Sequence, residues 1–473
     1  MTRRTLRIHW RSRFVRRVAA NVIVGLGLEF IFLLLQGSHL ADFLEDLSLD
    51  WMIQMHSGTP PARSPAIPFT VVDIDEETYR KWGEPLLIPR DKLLRLVQFA
   101  IAGRAALVVV DVDLSRPAGV GGAQESVDVA LVDYFERRSP LPEGVLDTRK
   151  GSGPTPIILV RTFRVPLSAA ASSEPKDSFL DQAVSIAPDL YWAAPLFQLD
   201  RDFVVRRWRL WEATCGNKHG DVVPSIQLLV ATLLLKPQNR TGGLEGVLAP
   251  FRHFACGTRS ARPDHDSTAA NQLRLGRVVL NVDESHLERR ILYSIPWKLG
   301  PTDARPRIDI DGRPMPLLFQ IPAHQIIDAP EGVAKDKMLG RVVVIGGSFL
   351  DGRDIYATPL GPMPGTFIII NAIHSLVQYG ELQRPPRWVT GVVTALVIVV
   401  VSVVFAMFTS FAGTVIAGVI IILLLLPISF WLFQAGVWFE FAIPLTGVLL
   451  HHLYADVEEA RRRGLRAAPD RQE

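Results

Sequence analysis

The sequence predicts an α/β domain built on a mainly parallel sheet and attached to four membrane-spanning helices. Three observations carry that expectation. Phe69–Ile74 and Ala105–Val112 are short β-branched runs that end in Asp73-Ile74-Asp75 and Asp111-Val112-Asp113, with a helical pattern between them. Strand, helix, strand at that distance is a βαβ unit with parallel strands. Four apolar stretches, Val18–Gln36, Trp388–Phe408, Ala412–Gln434 and Gly436–Tyr454, are each near the roughly 20 residues that a bilayer crossing needs. Between the first two of these lies Gly37–Arg387, whose closing part, Gly340–Asn371, opens as another buried strand, Arg341–Ile345, and breaks at Gly346-Gly347.

The chain has 473 residues and a formal net charge of +3, close to neutral for its size, which argues against a general nucleic-acid binder. Its arginines gather at the ends: Arg3, Arg4, Arg7, Arg11, Arg13, Arg16 and Arg17 precede the first span, and Arg461, Arg462, Arg463 and Arg466 follow the last. Positive ends stay in the cytoplasm, and an even number of spans puts both ends on one side, so the central domain is expected outside the cytoplasm. Arg384 and Arg387 lie on the outer side and count mildly against this. The first span reads as an uncleaved anchor, because Leu35-Gln36-Gly37-Ser38 lacks the small-x-small pattern of a cleaved signal peptide. The expected divisions are a basic terminus at 1–17, a span at 18–36, the outer domain at 37–387, three spans within 388–454 and a tail at 455–473.

Along the chain, Leu40, Phe43, Leu44, Leu47 and Trp51 recur at helical spacing and predict a helix leading away from the membrane. A helix from about Asp91 places Leu93, Leu94, Val97 and Ile101 on one face. Val127–Arg138 reads as a further helix, Ile157–Val160 as a short strand and Pro166–Pro188 as an inserted loop. Phe203–Leu210, with Arg206, Arg207 and Arg209, suggests an exposed strand, and Ile226–Leu235 a compact apolar helix. Phe251–Gln272 reads as a loop; Val278–Val282, Ile291–Ile295 and Arg307–Ile310 read as short strands, and Ala372–Tyr379 as a helix.

Loops at the carboxyl ends of parallel strands are where open α/β sheets bind ligands. Asp73, Asp75, Asp111 and Asp113 stand there on two strands expected to be neighbours, with Asp351 and Asp354 available from the loop that ends in Thr358-Pro359. Clustered carboxylates repel unless a cation or arginine joins them, and oxygen ligands suit Ca²⁺ or Mg²⁺, so Asp73 with Asp111 forms a candidate divalent-cation site. The competing reading makes the same carboxylates helix caps or partners of Arg90, Arg116 or Arg353. Gly346-Gly347-Ser348 matches neither a P-loop nor a G-x-S-x-G elbow, and no H-E-x-x-H or Cys/His zinc spacing is present, so catalytic readings are weak. Glu29 within the first span, and Gly391, Gly413, Gly418 and Gly447 in the later ones, are candidates for contacts inside the bilayer, with a partner or among the chain's own spans.

An ordered set of segments resembles the type-2 CHASE domain, an extracellular sensory module of bacterial transmembrane receptors. The set is Val71-Val72-Asp73-Ile74-Asp75, Pro89-Arg90, Val109-Val110-Asp111, Arg206-Arg207, Pro224-Ser225, Ile345-Gly346, Asp354 to Pro359 and Pro364-Gly365. The three closely spaced C-terminal spans are also similar to that family's arrangement. Two departures stand out: Phe367 and Ile369 occupy places where the family commonly has an acidic residue and a histidine, and the sequence runs only to Glu473 where relatives continue into an output domain. The resemblance implies a sensor in the bacterial inner membrane with its large domain in the periplasm, signalling through a separate protein. Its candidate ligand-binding residues are Asp73, Asp75, Arg90, Asp111, Asp113, Asp351, Asp354 and Thr358. The alternatives are a structural subunit that anchors an envelope complex and, less favoured, a metal-dependent envelope hydrolase; homo-oligomerisation stays open. Cys215 and Cys256, the two cysteines, are expected to pair in the oxidising compartment, against the alternative of two buried free thiols.

Overall fold

A computed structural model describes residues 3–438 apart from 36–37, 60–65, 120–122, 138–153, 165–172, 217–218, 236–241, 255–271, 276–277, 283–287, 300–304, 311–312, 334, 381, 383–384, 409 and 435. The helices used below are α1 Arg3–Leu35, α2 His39–His56, α3 Glu76–Lys81, α4 Arg90–Ala102, α5 Ala123–Glu136, α6 Asp181–Ile186, α7 Ile226–Leu235, α8 Ala323–Asp328, α9 Gly365–Tyr379, α10 Arg387–Met407 and α11 Ser410–Gln434. The chain divides into two compact units, Ser57–Glu381 and the combination of Met1–His56 with Leu382–Glu473. The helix α2 therefore groups with the membrane helices, not with the α/β domain expected from residue 37.

The unit Ser57–Glu381 is organised by a six-stranded parallel sheet: β1 Phe69–Ile74, β2 Leu107–Asp111, β3 Ile157–Val160, β4 Leu190–Ala193, β5 Leu318–Pro322 and β6 Val342–Gly347, in the spatial order β5-β1-β6-β2-β3-β4. Strands covered on both faces read as continuous apolar runs, without alternation, and β1 is buried at all six positions. On one face, Leu93, Leu96 and Val97 of α4 and Ile326 of α8 pack with Val72, Val108, Val110 and Ile345 of the sheet. The other face is covered by α9, almost all of whose residues are buried.

The two strands that carry the Asp-x-Asp pattern are parallel but not neighbours. Between them runs β6, with Asp73 in register with Gly346 and Gly346 in register with Asp111. The connection through α3 and α4 leaves a slot one strand wide, and a strand from far along the chain fills it.

Several smaller expectations are corrected. The strand Val205–Arg209 is largely buried, and Arg206, only 6% exposed, is held by Asp200 at 3.1 Å and Asp202 at 2.8 Å. The stretch Pro166–Pro188 contains the short strand Glu174–Pro175 and α6. Of Ile291–Ile295 only Ile291 reaches a strand, its amide donating to the Arg206 carbonyl at 2.8 Å; the Leu292 amide donates to Ser375 Oγ, and the Ser294 and Ile295 amides both donate to Asn371 Oδ1 on α9. Side chains there supply partners that a neighbouring strand would otherwise give. Cys215 lies in a strand, Trp211–Gly216, and is disulfide-bonded; Cys256 lies outside the described residues.

In the helical unit two helices among the described residues, not four, are long and apolar enough to cross a membrane: Trp388–Met407 and Val415–Gln434, each with a mean hydropathy of 2.8. The first expected span, as far as Leu35, falls within α1, where Asn21 donates to the Ser402 carbonyl of α10 at 3.2 Å and Gly25 lies against Ile398. Most of the last expected span, from residue 439 onward, lies outside the described residues. Of the glycines expected to allow close helix approach, Gly413 meets Phe405, while Gly391 and Gly418 have open space beside them and Gly447 lies outside the described residues.

Candidate functional site

The carboxyl ends of β1, β6 and β2 form a row in which two acidic side chains flank a glycine. At ~4.8 Å per strand spacing, Asp73 and Asp111 stand two spacings apart with Gly346 between them, and each carboxylate has its own partner, Gln320 for Asp73 and Thr366 for Asp111. No group of three or more His, Cys, Asp or Glu side chains suited to a metal occurs among the described residues.

Asp111 instead turns to α9 and to the loop after β6. Thr366, in the first turn of α9, donates its hydroxyl to Asp111 Oδ2 at 2.8 Å. A Cβ built on Gly346 would overlap that same hydroxyl and come within 3.0 Å of Asp111 Cβ, so only glycine lets strand, helix and carboxylate meet here. Asp354 reaches the same helix end. Its carbonyl accepts the Gly365 amide at 2.9 Å, and a Cβ on Gly365 would collide with its carboxylate. The hairpin Ile355–Thr358 with Gly361–Pro364 delivers it there and adds Tyr356, whose phenol donates to the Asp354 carboxylate. Thr358 closes this hairpin: its hydroxyl donates to the Gly361 carbonyl at 2.7 Å.

The pair is electrostatically unusual. Burial pushes Asp111 up to about 6. Burial and then the nearby Asp111 charge push Asp354 up to about 7. Carboxylates this close release their protons in steps that belong to the pair. The pair stands at the N-terminus of the 15-residue α9, the positive end of its dipole.

Asp73 forms a second centre beside the first. Gln320 of β5 donates to Asp73 Oδ2 at 2.7 Å and is itself held by Arg305 through its amide oxygen. The Ser348 hydroxyl also donates to Asp73. Burial, at 2% exposure, outweighs both hydrogen bonds and raises the Asp73 carboxyl to about 6.

The remaining expected residues stand apart. Asp75 accepts the Thr78 amide at 2.8 Å as the N-cap of α3. Asp113 binds the Ser115 amide and Thr162 and lies 3.5 Å from Lys176; although partly buried, these partners hold its carboxyl below the ordinary value. Arg90, 1% exposed, donates to the carbonyl of Arg116 at 3.1 Å and so ties the loop after β2. Asp351 occupies the exposed turn Leu350–Gly352.

A family model for the CHASE2 domain matches residues 23–409, most of the sequence and all of the sheet described above. The chain belongs to the CHASE2 domain family. CHASE2 domains are sensory and not catalytic modules. No curated protein and no solved structure matches the chain. In this CHASE2 domain Phe367 and Ile369 are buried on α9, at 0% and 1% exposure. Thr366 and Tyr356 were not singled out from sequence. The available signal was the small pair Gly365-Thr366 opening a helix directly after a proline.

Proposed function

We propose that this protein is a sensor of the bacterial inner membrane whose CHASE2 domain lies in the periplasm. Its responsive centre is the Asp111–Asp354 pair at the start of α9. The observation that carries the reading is the crowding of two proton-holding carboxyls, with Thr366 and Tyr356, onto the end of one helix. A change in their charge, by proton loss or by a bound cation, alters the force at that helix end. Support for transmission comes from connectivity: α9 ends at Tyr379 and the membrane-type helix α10 begins at Arg387. On this reading Val18–Gln36 and Gly436–Tyr454 cross the membrane together with the two apolar helices described, both ends of the sequence lie in the cytoplasm, and the signal passes through the spans to a separate signalling or envelope protein.

This topology has a direct test. A reporter active only in the periplasm should work when inserted within residues 166–188 and fail when fused at Glu473, and a cytoplasmic reporter should give the reverse. Equal readings at the two positions overturn the placement.

A further inference from the structure

The helix α2 carries two different apolar faces. Leu49, Met52, Ile53 and His56 are buried, and His56 packs edge-on against Phe430 and Phe433 of α11. Phe43, Leu47, Trp51 and Met55 recur every four residues and form a second stripe along the helix. They are 59%, 56%, 38% and 55% exposed, and a contiguous apolar stripe of this kind marks an interaction surface. Asp42, Asp46 and Asp50 keep the same spacing, so an acidic stripe runs alongside the apolar one.

The neighbouring helices show what the apolar stripe meets. Asn21 bonds to Ser402 and Gly25 lies against Ile398, so α1 and α10 run antiparallel and their register carries Leu35 to the start of α10. Gly413 meets Phe405, and Leu432 and Val437 share a cavity with Pro386 and Val389, so α11 returns to that same end. The chain thus enters α2 just beyond the end of α1 and leaves it against the last two turns of α11. The 18 residues of α2 span about 27 Å, so it lies across that end of the bundle and does not prolong the helix axes.

We propose that α2 is an interfacial helix, with Phe43, Leu47, Trp51 and Met55 set into the lipid of the leaflet where α1 and α11 end. An amphipathic helix lying in the interface sinks its apolar face about 5–10 Å into the headgroup boundary, and tryptophan favours that depth. The acidic stripe faces water. Because α2 contains no lysine or arginine, it is held by apolar burial and by its link to α1, not by attraction to anionic lipid. A second copy or a partner protein fits less well, since four side chains fall short of the roughly 20–30 residues a side of a standard protein interface. The proposal rests on the reading of α10 and α11 as membrane spans and is independent of Asp111 and Asp354.

The test places a nitroxide on one introduced cysteine in the full-length protein, reconstituted in vesicles of phosphatidylethanolamine and phosphatidylglycerol. Labelling without reductant keeps the Cys215 disulfide closed. Oxygen, which concentrates in lipid, and a water-soluble nickel chelate then report each label's surroundings by electron paramagnetic resonance. Leu47→Cys and Phe43→Cys, both at exposed positions, should favour oxygen over nickel several-fold more than Asp42→Cys on the acidic stripe. Leu423→Cys, at an exposed position near the middle of α11, calibrates the bilayer. If Leu423 favours oxygen while Leu47 and Phe43 match Asp42, α2 stands in water and the proposal is overturned with the spans intact. If Leu423 itself favours nickel, the membrane reading fails and the proposal fails with it. Labels at Leu47 and Phe43 shielded from both reagents would mean a protein neighbour, which also overturns it.

Discussion

Replacing Gly346 by alanine should destabilise the protein by about 3 kcal/mol, at the upper end of what overpacking usually costs. The added methyl meets two groups that cannot both withdraw. Asp111 Cβ, within 3.0 Å of it, is fixed to the adjacent strand, and Thr366 Oγ1 belongs to the first turn of α9. Rotating Thr366 away relieves the clash but breaks its 2.8 Å bond to Asp111. Thr366→Ala in the same chain should therefore recover part of the loss, a coupling that independent sites do not show. Gly391→Ala is the control, since nothing lies within 4 Å of its added Cβ; it should stay within ~0.5 kcal/mol of the parent. Denaturant midpoints of the full-length protein, followed by tryptophan fluorescence, give all four values. A Gly346→Ala midpoint equal to that of Gly391→Ala would show that strand, helix and carboxylate do not meet as described.

The second large effect is on pH dependence. Asp73, Asp111 and Asp354 all hold their protons to higher pH in the folded chain than the ordinary value of 3.8, up to about 6, 6 and 7. The folded state then binds more protons than the unfolded state in that interval. Stability contributed by these groups is complete below about pH 4 and declines as pH rises through 6 and 7. Each unit of displacement corresponds to ~1.4 kcal/mol, and with allowance for partial exposure the three together should remove on the order of 3 kcal/mol between pH 4 and pH 8. Asp354→Asn deletes one member of the repelling pair. It should flatten the profile and stabilise the protein at pH 8 by about 1–2 kcal/mol, with little change at pH 4. Midpoints measured from pH 4 to pH 8 check this; a parent profile that is flat or rises across pH 5–7, or a variant with the parent's slope, contradicts the assignment.

Much of the sheet was legible because its strands are wholly buried. Phe69–Ile74 and Ile157–Val160 appear in the structure with the ends read from sequence, since runs of Val and Ile between turn residues have few other uses. Their order was not legible. The β-branched runs of β1, β2 and β6 are chemically alike, and nothing local says that β6 enters between the other two. That insertion changed the site: it parted Asp73 from Asp111 and gave Asp111 the company of Thr366 and Asp354. The carboxylates could be picked out because acidic groups at strand ends are conspicuous, whereas Thr366 looks like any small residue opening a helix. The Ile291–Ile295 strand failed for a related reason, because Asn371 and Ser375 on a distant helix satisfy the backbone that a ladder was expected to pair.

If the proposed sensor function holds, the charge of the Asp111–Asp354 pair is felt in the membrane helices. Gly25 and Ile398 provide the gauge: a Cβ at Gly25 would lie 3.7 Å from Ile398 Cβ, the separation of a disulfide. In native membranes, Gly25→Cys with Ile398→Cys should crosslink to a yield that depends on pH between 5.5 and 7.5, beyond the change in thiol reactivity itself. The same pair carrying Asp354→Asn supplies that baseline. The two pH profiles should differ clearly, and superimposable profiles would contradict a coupling between the carboxyl pair and the helices.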